Sequence, residues 1–253
     1  MLNWEYINES YLYDGSFYGL LTIVFDAYVN NKIPNKIYSE EKYIENLLDN
    51  IVYIQTNEKK ALRIIKGILK NISNETLYIA YNAFLCGKEG KEINIVKYII
   101  AAFKTGPKIN SMLWVDYVFE TIALKRVALF ESHRLKGLIK FRCIDDNLYY
   151  APIHPDNNVV EYLGKHFVNR LPTQNFIIHD KNRNIAFVYN LKETYITIVP
   201  ANFKLSEFSK EEKEYQELWK TFFKTIAIKE RTNSRLQKNY MPKRYWKDLV
   251  EEP

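Results

Sequence analysis

The apolar period of this chain changes once, near Gly137, and that change limits the fold more than any other feature. Before it, apolar residues recur at helical spacing. Ala61, Ile64, Ile65, Ile68, Leu69 and Ile72 form one stripe, Ile95, Ile99, Ala102 and Phe103 a second, and Val115, Val118, Phe119, Ile122 and Leu129 a third that runs to about His133. After it, the period is two, with strands predicted at 138–144, 148–153, 175–180, 184–189 and 194–199. Helices followed by strands, rather than alternating with them, predict an α+β fold with a mainly antiparallel sheet.

Shorter signals complete the outline. Residues 10–14 predict an opening strand, and Phe17, Leu20, Leu21, Val24 and Tyr28 predict a helix released by Gly15. Pro34 and the polar residues after it predict a loop, and residues 51–54 a further strand. Ser73 is placed to cap a helix carrying Leu77, Tyr81, Phe84 and Leu85, and Asp156 to cap one from about 157 to 169. No linker rich in Gly, Pro or Ser lies near residue 135, so the expectation is a single domain over 1–253. Within it a helical subregion covers about 15–133, a sheet-rich one about 136–200, and a C-terminal helix with a basic tail about 207–250. The helix carries Tyr215, Leu218, Trp219, Phe222, Phe223 and Ile226.

Composition excludes several classes. With 47% hydrophobic residues over 253 positions, the chain can build a real core. Two cysteines, Cys86 and Cys143, supply neither a disulfide framework nor a cysteine-rich zinc site. Uncharged stretches such as 15–25, bounded by Asp14 and Asp26, are well short of the ~20 residues that span a bilayer. The N-terminus lacks the pattern of a signal peptide, and the expected location is the cytoplasm. No membrane partner is expected.

The net charge of +6 is unevenly spread. Residues 229–247 hold seven Lys or Arg against one acid, Glu230. If 138–143 is a strand, alternation puts Lys140 and Arg142 on one face and Ile139, Phe141 and Cys143 on the other. His166 and Arg170, four apart, share a helix face, and Arg231, Arg235 and Lys238 share another if the tail is helical. Such faces suit phosphates. Arg142 and Arg170 are expected to converge on one groove, from the sheet and from the helix after it.

The simpler reading of each feature stands beside the functional one. His166 and Arg170 either meet an anion or satisfy a local carboxylate. Asp180 either serves chemistry or pairs with Arg183 across a hairpin turn. Asp14, Gly15 and Ser16 either bind a phosphate or form a plain strand-to-helix turn. His154, His166, His179, Asp156 and Asp180 lack the tight spacing of a zinc helix, so no metal site and no cofactor are assigned. There is no nucleophile elbow, Walker loop or dinucleotide fingerprint.

Segments spanning nearly the whole chain resemble a bacterial family of unknown function described as DNA metabolism or repair proteins. They include Tyr13 to Leu21, His133 to Arg142, Pro155 and Asp156 with Val159, His166 to Arg170, Asp180 to Arg183, Ile228 to Asn233 and Met241 to Trp246. The resemblance implies a role beside a DNA-modifying radical SAM protein, and fusion of some relatives to a uracil-DNA-glycosylase-like domain. It points to His133, Arg142, His166, Arg170, Asp180, Arg183, Arg231, Asn233 and Arg244 as functional positions. Phe176 stands where the family pattern would have Trp, a change that a buried aromatic role tolerates.

Three functions follow. The first is a DNA-binding accessory factor, acting with a radical SAM or glycosylase-type partner on single-stranded or damaged DNA. Its contacts would be Lys140, Arg142, Arg170, Arg183, Arg231, Asn233, Arg235, Lys238 and Arg244. The second is a DNA-processing enzyme with His133 or His166 as acid or base and Asp180 orienting it or holding a metal. The third is a protein adaptor whose charge is incidental.

Overall fold

In the computed structural model, residues 4–45, 50–145, 147–200, 202–203, 208–228 and 233–250 are described. The chain divides into two compact units, Met1–Leu129 and Phe130–Pro253. Helix and strand are mixed in both.

The first unit opens with β1 (Glu5–Tyr13), α1 (Phe17–Asn30), β2 (Lys32–Ser39) and β3 (Ile51–Tyr53). Ser16 starts α1 by accepting the Gly19 N–H at 2.8 Å, and Asn31, left-handed at φ 54°, ends it. The strands form a sheet in the order β2-β1-β3, and both pairings are parallel. Residues around Pro34 are therefore strand, not loop. Proline is tolerated there because β2 lies at the sheet edge.

Helices α2 (Glu58–Asn71), α3 (Asn74–Leu85) and α4 (Lys91–Thr105) follow, and α5 (Asp116–Leu138) leads into the second unit. Ser73 caps α3 as its sequence predicts, accepting the Thr76 N–H at 3.1 Å. The buried residues of α3 are Thr76, Ile79, Ala80, Asn82, Ala83 and, at its end, the expected Leu85. Tyr81 and Phe84 are half-buried and pack edge-on or tilted against Phe17 of α1, each at 5.2 Å.

The second unit contains β4 (Arg142–Asp145), β5 (Leu148–Ile153), α6 (Val160–Arg170), β6 (Asn175–Asp180), β7 (Ile185–Tyr189), β8 (Thr194–Ile198), α7 (Lys210–Ile226), α8 (Ser234–Tyr240) and a 3-10 turn, Lys243–Asp248. Its five strands lie in the order β4-β5-β6-β7-β8. Strands β5 and β6 are parallel, with α6 as the crossover, and the other pairs are antiparallel. The mainly antiparallel expectation is thus corrected: one sheet is wholly parallel and the other mixed. The missed signal was the helix between β5 and β6, long enough to carry a parallel crossover.

Two boundaries also move. Helix α5 continues through Leu138, where a strand was predicted, and the Ile139 N–H still bonds the Leu135 carbonyl at 3.0 Å. Helix α6 starts at Val160 with no side-chain cap. Asp156 does not cap it, because the helix begins four residues later and the Asp156 carboxylate pairs with Arg244 instead.

Helix α6 lays Val160, Leu163 and Phe167 on the sheet face formed by Ala151, Ile153, Phe176, Ile178, Phe187 and Tyr189. Each such side chain contributes roughly 1.5–3 kcal/mol by leaving water. Gly164 lets the helix approach closely, since a Cβ there would sit 2.2 Å from the Phe187 ring. Gly164→Ala is expected to destabilise the protein by about 1–3 kcal/mol through overpacking. Urea unfolding followed by circular dichroism checks this; an unchanged midpoint would mean the helix is not pressed on Phe187.

Candidate functional site

The loop between β5 and α6 is held from three directions within the second unit. Glu131 of α5, 4% exposed, accepts the Asp156 N–H at 3.1 Å, the Asn157 N–H at 2.7 Å and Asn157 Nδ2 at 2.6 Å. It also accepts the Tyr245 hydroxyl and, at 3.4 Å, Nη2 of Arg244. Burial raises the Glu131 pKa, but the hydrogen bonds from Tyr245, Asp156 and Asn157 outweigh it and leave the group below the usual carboxylate range.

The second hold is the hairpin turn after β6. Asp180, fully buried, accepts the Asn182 N–H at 3.0 Å and the Arg183 N–H at 3.2 Å, and pairs with Arg183 Nη1 at 2.9 Å. Arg183 and Asn182 then reach the Pro155 carbonyl at 3.1 and 3.0 Å, and Arg183 Nη2 the Asp156 carbonyl at 2.5 Å. Burial raises the Asp180 pKa more than Arg183 lowers it. The pair holds Arg183 in place to grip the loop carbonyls. The third hold is the 3-10 turn, where Asp248 meets His154 Nδ1 at 2.9 Å and Arg244 meets Asp156 at 3.0 Å.

The sheet face away from α6 carries a different set. The register pairs Arg142 with Tyr150 and Pro152 with His179, which puts Arg142, Tyr150 and His179 on one face, while Phe176 and Ile178 take the other. The Tyr150 hydroxyl and His179 Nδ1 share a buried hydrogen bond of 2.8 Å. Burial pushes His179 down to about 4, aided by Lys181 and His154, and pushes Tyr150 up to about 12. His179 Nε2 and Arg142 Nε are buried without a partner among the described residues. Arg142 donates to the Asp248 carbonyl at 3.0 Å and stacks over Phe208 at 5.7 Å.

Arg142 and Arg170 thus do not converge. Arg142 lies on the sheet face opposite α6, whereas Arg170 ends α6. The expected shared groove is corrected by strand register: Phe141 takes the core side against Phe167, which turns its neighbour away.

What gathers near Arg170 is different. Burial lowers the His166 pKa, with Lys136 of α5 and Arg170 as the next causes. Two cations, Lys136 and Arg170, therefore act on one imidazole and favour its neutral form. Among the described residues, neither Lys136 nor Arg170 has a carboxylate partner. His133, exposed and three residues before Lys136, shares its helix face.

The remaining predicted residues separate clearly. Arg183 and Arg244 are engaged by Asp180, Glu131 and Asp156. Asn233 caps α8 by accepting the Leu236 N–H at 3.1 Å, and Lys140 sits over the Trp219 ring at 4.9 Å. Arg235 and Lys238 are exposed on α8. Arg231 lies outside the described residues. No hydrogen bond joins His133, His166 and Asp180 among the described residues. No group of three or more His, Cys, Asp or Glu there is arranged to hold a metal.

Glu131 escaped the sequence reading. Its signal was spacing: it lies three residues after Ala128 and four before Leu135, both buried, so a carboxylate falls on the core face of α5. A carboxylate placed so must be met by donors.

Two outcomes test the framework. Glu131→Ala strands the Asp156 and Asn157 N–H groups and the Tyr245 hydroxyl, and is expected to cost about 3–5 kcal/mol. A lowered carboxylate pKa supplies stability above its unfolded value and loses it as pH falls through the folded one. Denaturant titrations should accordingly show the acid limb flattened in Glu131→Gln. For His179, the unfolded state binds the proton first, so stability is expected to rise with pH between about 4 and 6.5. If His179→Gln leaves the slope in that window unchanged, the histidine is not held neutral.

No helix among the described residues is long and apolar enough to cross a membrane. No curated protein matches the chain. Residues 89–251, most of its length and all of the loop framework, match the model of a domain of unknown function, DUF4130, and the chain belongs to that family.

Proposed function

We propose that the chain is a DNA-binding accessory protein of the cytoplasm, presenting single-stranded or damaged DNA to a partner enzyme. The partner implied by sequence resemblance is a radical SAM protein or a glycosylase-type domain. The observation that carries this reading is the pair of cations, Lys136 and Arg170, that act on His166 with no carboxylate partner among the described residues. A crowd of like charges costs free energy in isolation, and an anion relieves it. Phosphates of a nucleic acid supply that relief along a continuous backbone. Exposed Arg235 and Lys238 add cationic contacts of the same kind on α8.

A second reading, a protein adaptor, draws on α7. Tyr215, Leu218, Phe222 and Ile226 recur at helical spacing and are each more than half exposed. Such a face suits a partner protein. The two readings are compatible if the same chain holds DNA on one surface and its enzyme on another.

Fluorescence anisotropy with labelled single-stranded and duplex DNA over a salt series tests the leading reading. Affinity is expected to fall steeply with salt, and Lys136→Ala with Arg170→Ala to reduce the logarithmic slope by about 0.7–0.9 per lost contact. An unchanged slope in a folded variant would remove the cluster from the interface. Absence of binding at low salt would overturn the DNA reading.

A further inference from the structure

The edge of a sheet is a row of unpaired N–H and C=O groups, and folded chains blunt it with proline, charge, shortness or a covering group. Among the described residues the two sheets end in β2, β3, β4 and β8. The first three are blunted. β2 carries Pro34 with Lys32 and Lys36, and β3 is only three residues long. On β4 the Cys143 N–H is taken by Glu212 Oε2 of α7 at 3.0 Å. β8 has none of these devices: Thr194, Tyr195, Ile196, Thr197 and Ile198 include no charge and no proline. All five are exposed, Ile196 by 48% and Ile198 by 79%.

The ladder with β7 fixes which way each backbone group of β8 points. The Val199 N–H donates to the Asn184 carbonyl at 2.7 Å, and the Asn190 N–H to the Glu193 carbonyl at 3.2 Å. Hydrogen-bonded pairs alternate along an antiparallel ladder, so between these two ends Thr197 and Tyr195 face β7. The N–H and C=O groups of Thr194, Ile196 and Ile198 therefore point to the free edge. Outside the β7 ladder, the only hydrogen bond to them among the described residues is a long one, 3.4 Å, from the Thr197 hydroxyl to the Ile198 carbonyl. The same register sets Ile196 beside Phe187 and Ile198 beside Ile185, on the face that α6 covers. The apolar face thus continues past the helix to the open edge.

We propose that β8 pairs with β8 of a second copy of this chain, antiparallel about a two-fold axis through Ile196, so that the two sheets become one. The strand is self-complementary in this register. Ile196 meets Ile196 of the second copy, and Thr194 meets Ile198 at both ends, each pair exchanging two backbone hydrogen bonds. Neighbouring registers do worse. An axis through Thr197 sets Thr194 against Pro200, which has no N–H, and an axis through Tyr195 sets Ile198 against Lys192, which lies outside the strand.

Side chains and charge fit the same pairing. Ile196 stacks on its own copy and Ile198 lies diagonal to it, which closes the apolar strip left beyond α6. Lys192 and Glu193 fall opposite Pro200 and Val199 of the second copy, so no like charges oppose. An uncharged edge offers nothing to select an acidic or basic partner, whereas a second copy matches it in hydrogen-bond direction, side chains and length. The axis stands perpendicular to the sheet, and both α6 helices then lie on one face of the dimer. Pairing along five residues makes a small interface, so association is expected to be reversible and concentration-dependent.

Sedimentation velocity of the full chain from about 1 to 300 µM tests this. A shift from monomer to dimer with rising concentration is expected, with no larger species, because the pairing consumes the free edge. Ile196→Lys and Ile196→Glu, at a half-exposed position, should keep the native circular dichroism. Each sets like charges opposite each other on the axis and should raise the dissociation constant at least about tenfold. An equimolar mixture of the two variants is expected to recover the dimer, since Lys then meets Glu, and that recovery shows that both variants are folded. A monomer at every concentration overturns the proposal and leaves the edge to a strand of a different protein. It is equally overturned by a dimer that Ile196→Lys leaves unchanged, which would assign association to another surface such as α7, or by a mixture that stays monomeric.

Discussion

The second unit depends on one buried carboxylate. Glu131 enters from α5 and collects donors from the β5–α6 loop and from the C-terminal 3-10 turn, segments far apart in sequence. Burying a charge costs several kcal/mol unless its lone pairs are filled. Here they are, and the net shift of its pKa below the usual range shows that the hydrogen bonds prevail over desolvation. The same loop is gripped from its other side by the Asp180 and Arg183 pair. Backbone that would otherwise be a mobile connection is thereby fixed next to the helix that carries His166 and Arg170.

This division sorts the positive charges into two kinds. Arg183 and Arg244 spend their donors on Asp180, Glu131, Asp156 and main-chain carbonyls, while Arg142 gives one to the Asp248 carbonyl and keeps a buried Nε without a partner among the described residues. They are structural fixtures, and their guanidinium forks suit that task because one side chain can hold two acceptors at once. Lys136 and Arg170 make no such bonds and instead press on His166. The segments that carry the family resemblance include both kinds, so resemblance by itself does not separate scaffold from surface.

Much of the helical pattern was legible because amphipathic stripes and caps are local: Ser73 and Ser16 begin helices through bonds to residues three ahead. The Asp180 and Arg183 pairing was legible for the same reason, a turn of four residues. What was not legible depends on partners distant in sequence. Asp156 looks like a helix cap until Arg244 claims its carboxylate, and Pro34 looks like a loop signal until β2 proves to be an edge strand. The convergence of Arg142 and Arg170 failed on sheet register: alternation correctly turned Arg142 from the core, but not toward the face on which α6 packs. Period alone gives alternation and says nothing of which face a later helix will cover.

The separation of scaffold from available charge is tested most directly by residue-resolved chemical modification of arginine and lysine, read by mass spectrometry with and without single-stranded DNA. The account predicts that Lys136 and Arg170 are modified in the protein alone and protected by DNA, whereas Arg183 resists modification in both states. Protection confined to other residues, or an Arg183 that reacts freely and is shielded by DNA, would contradict it.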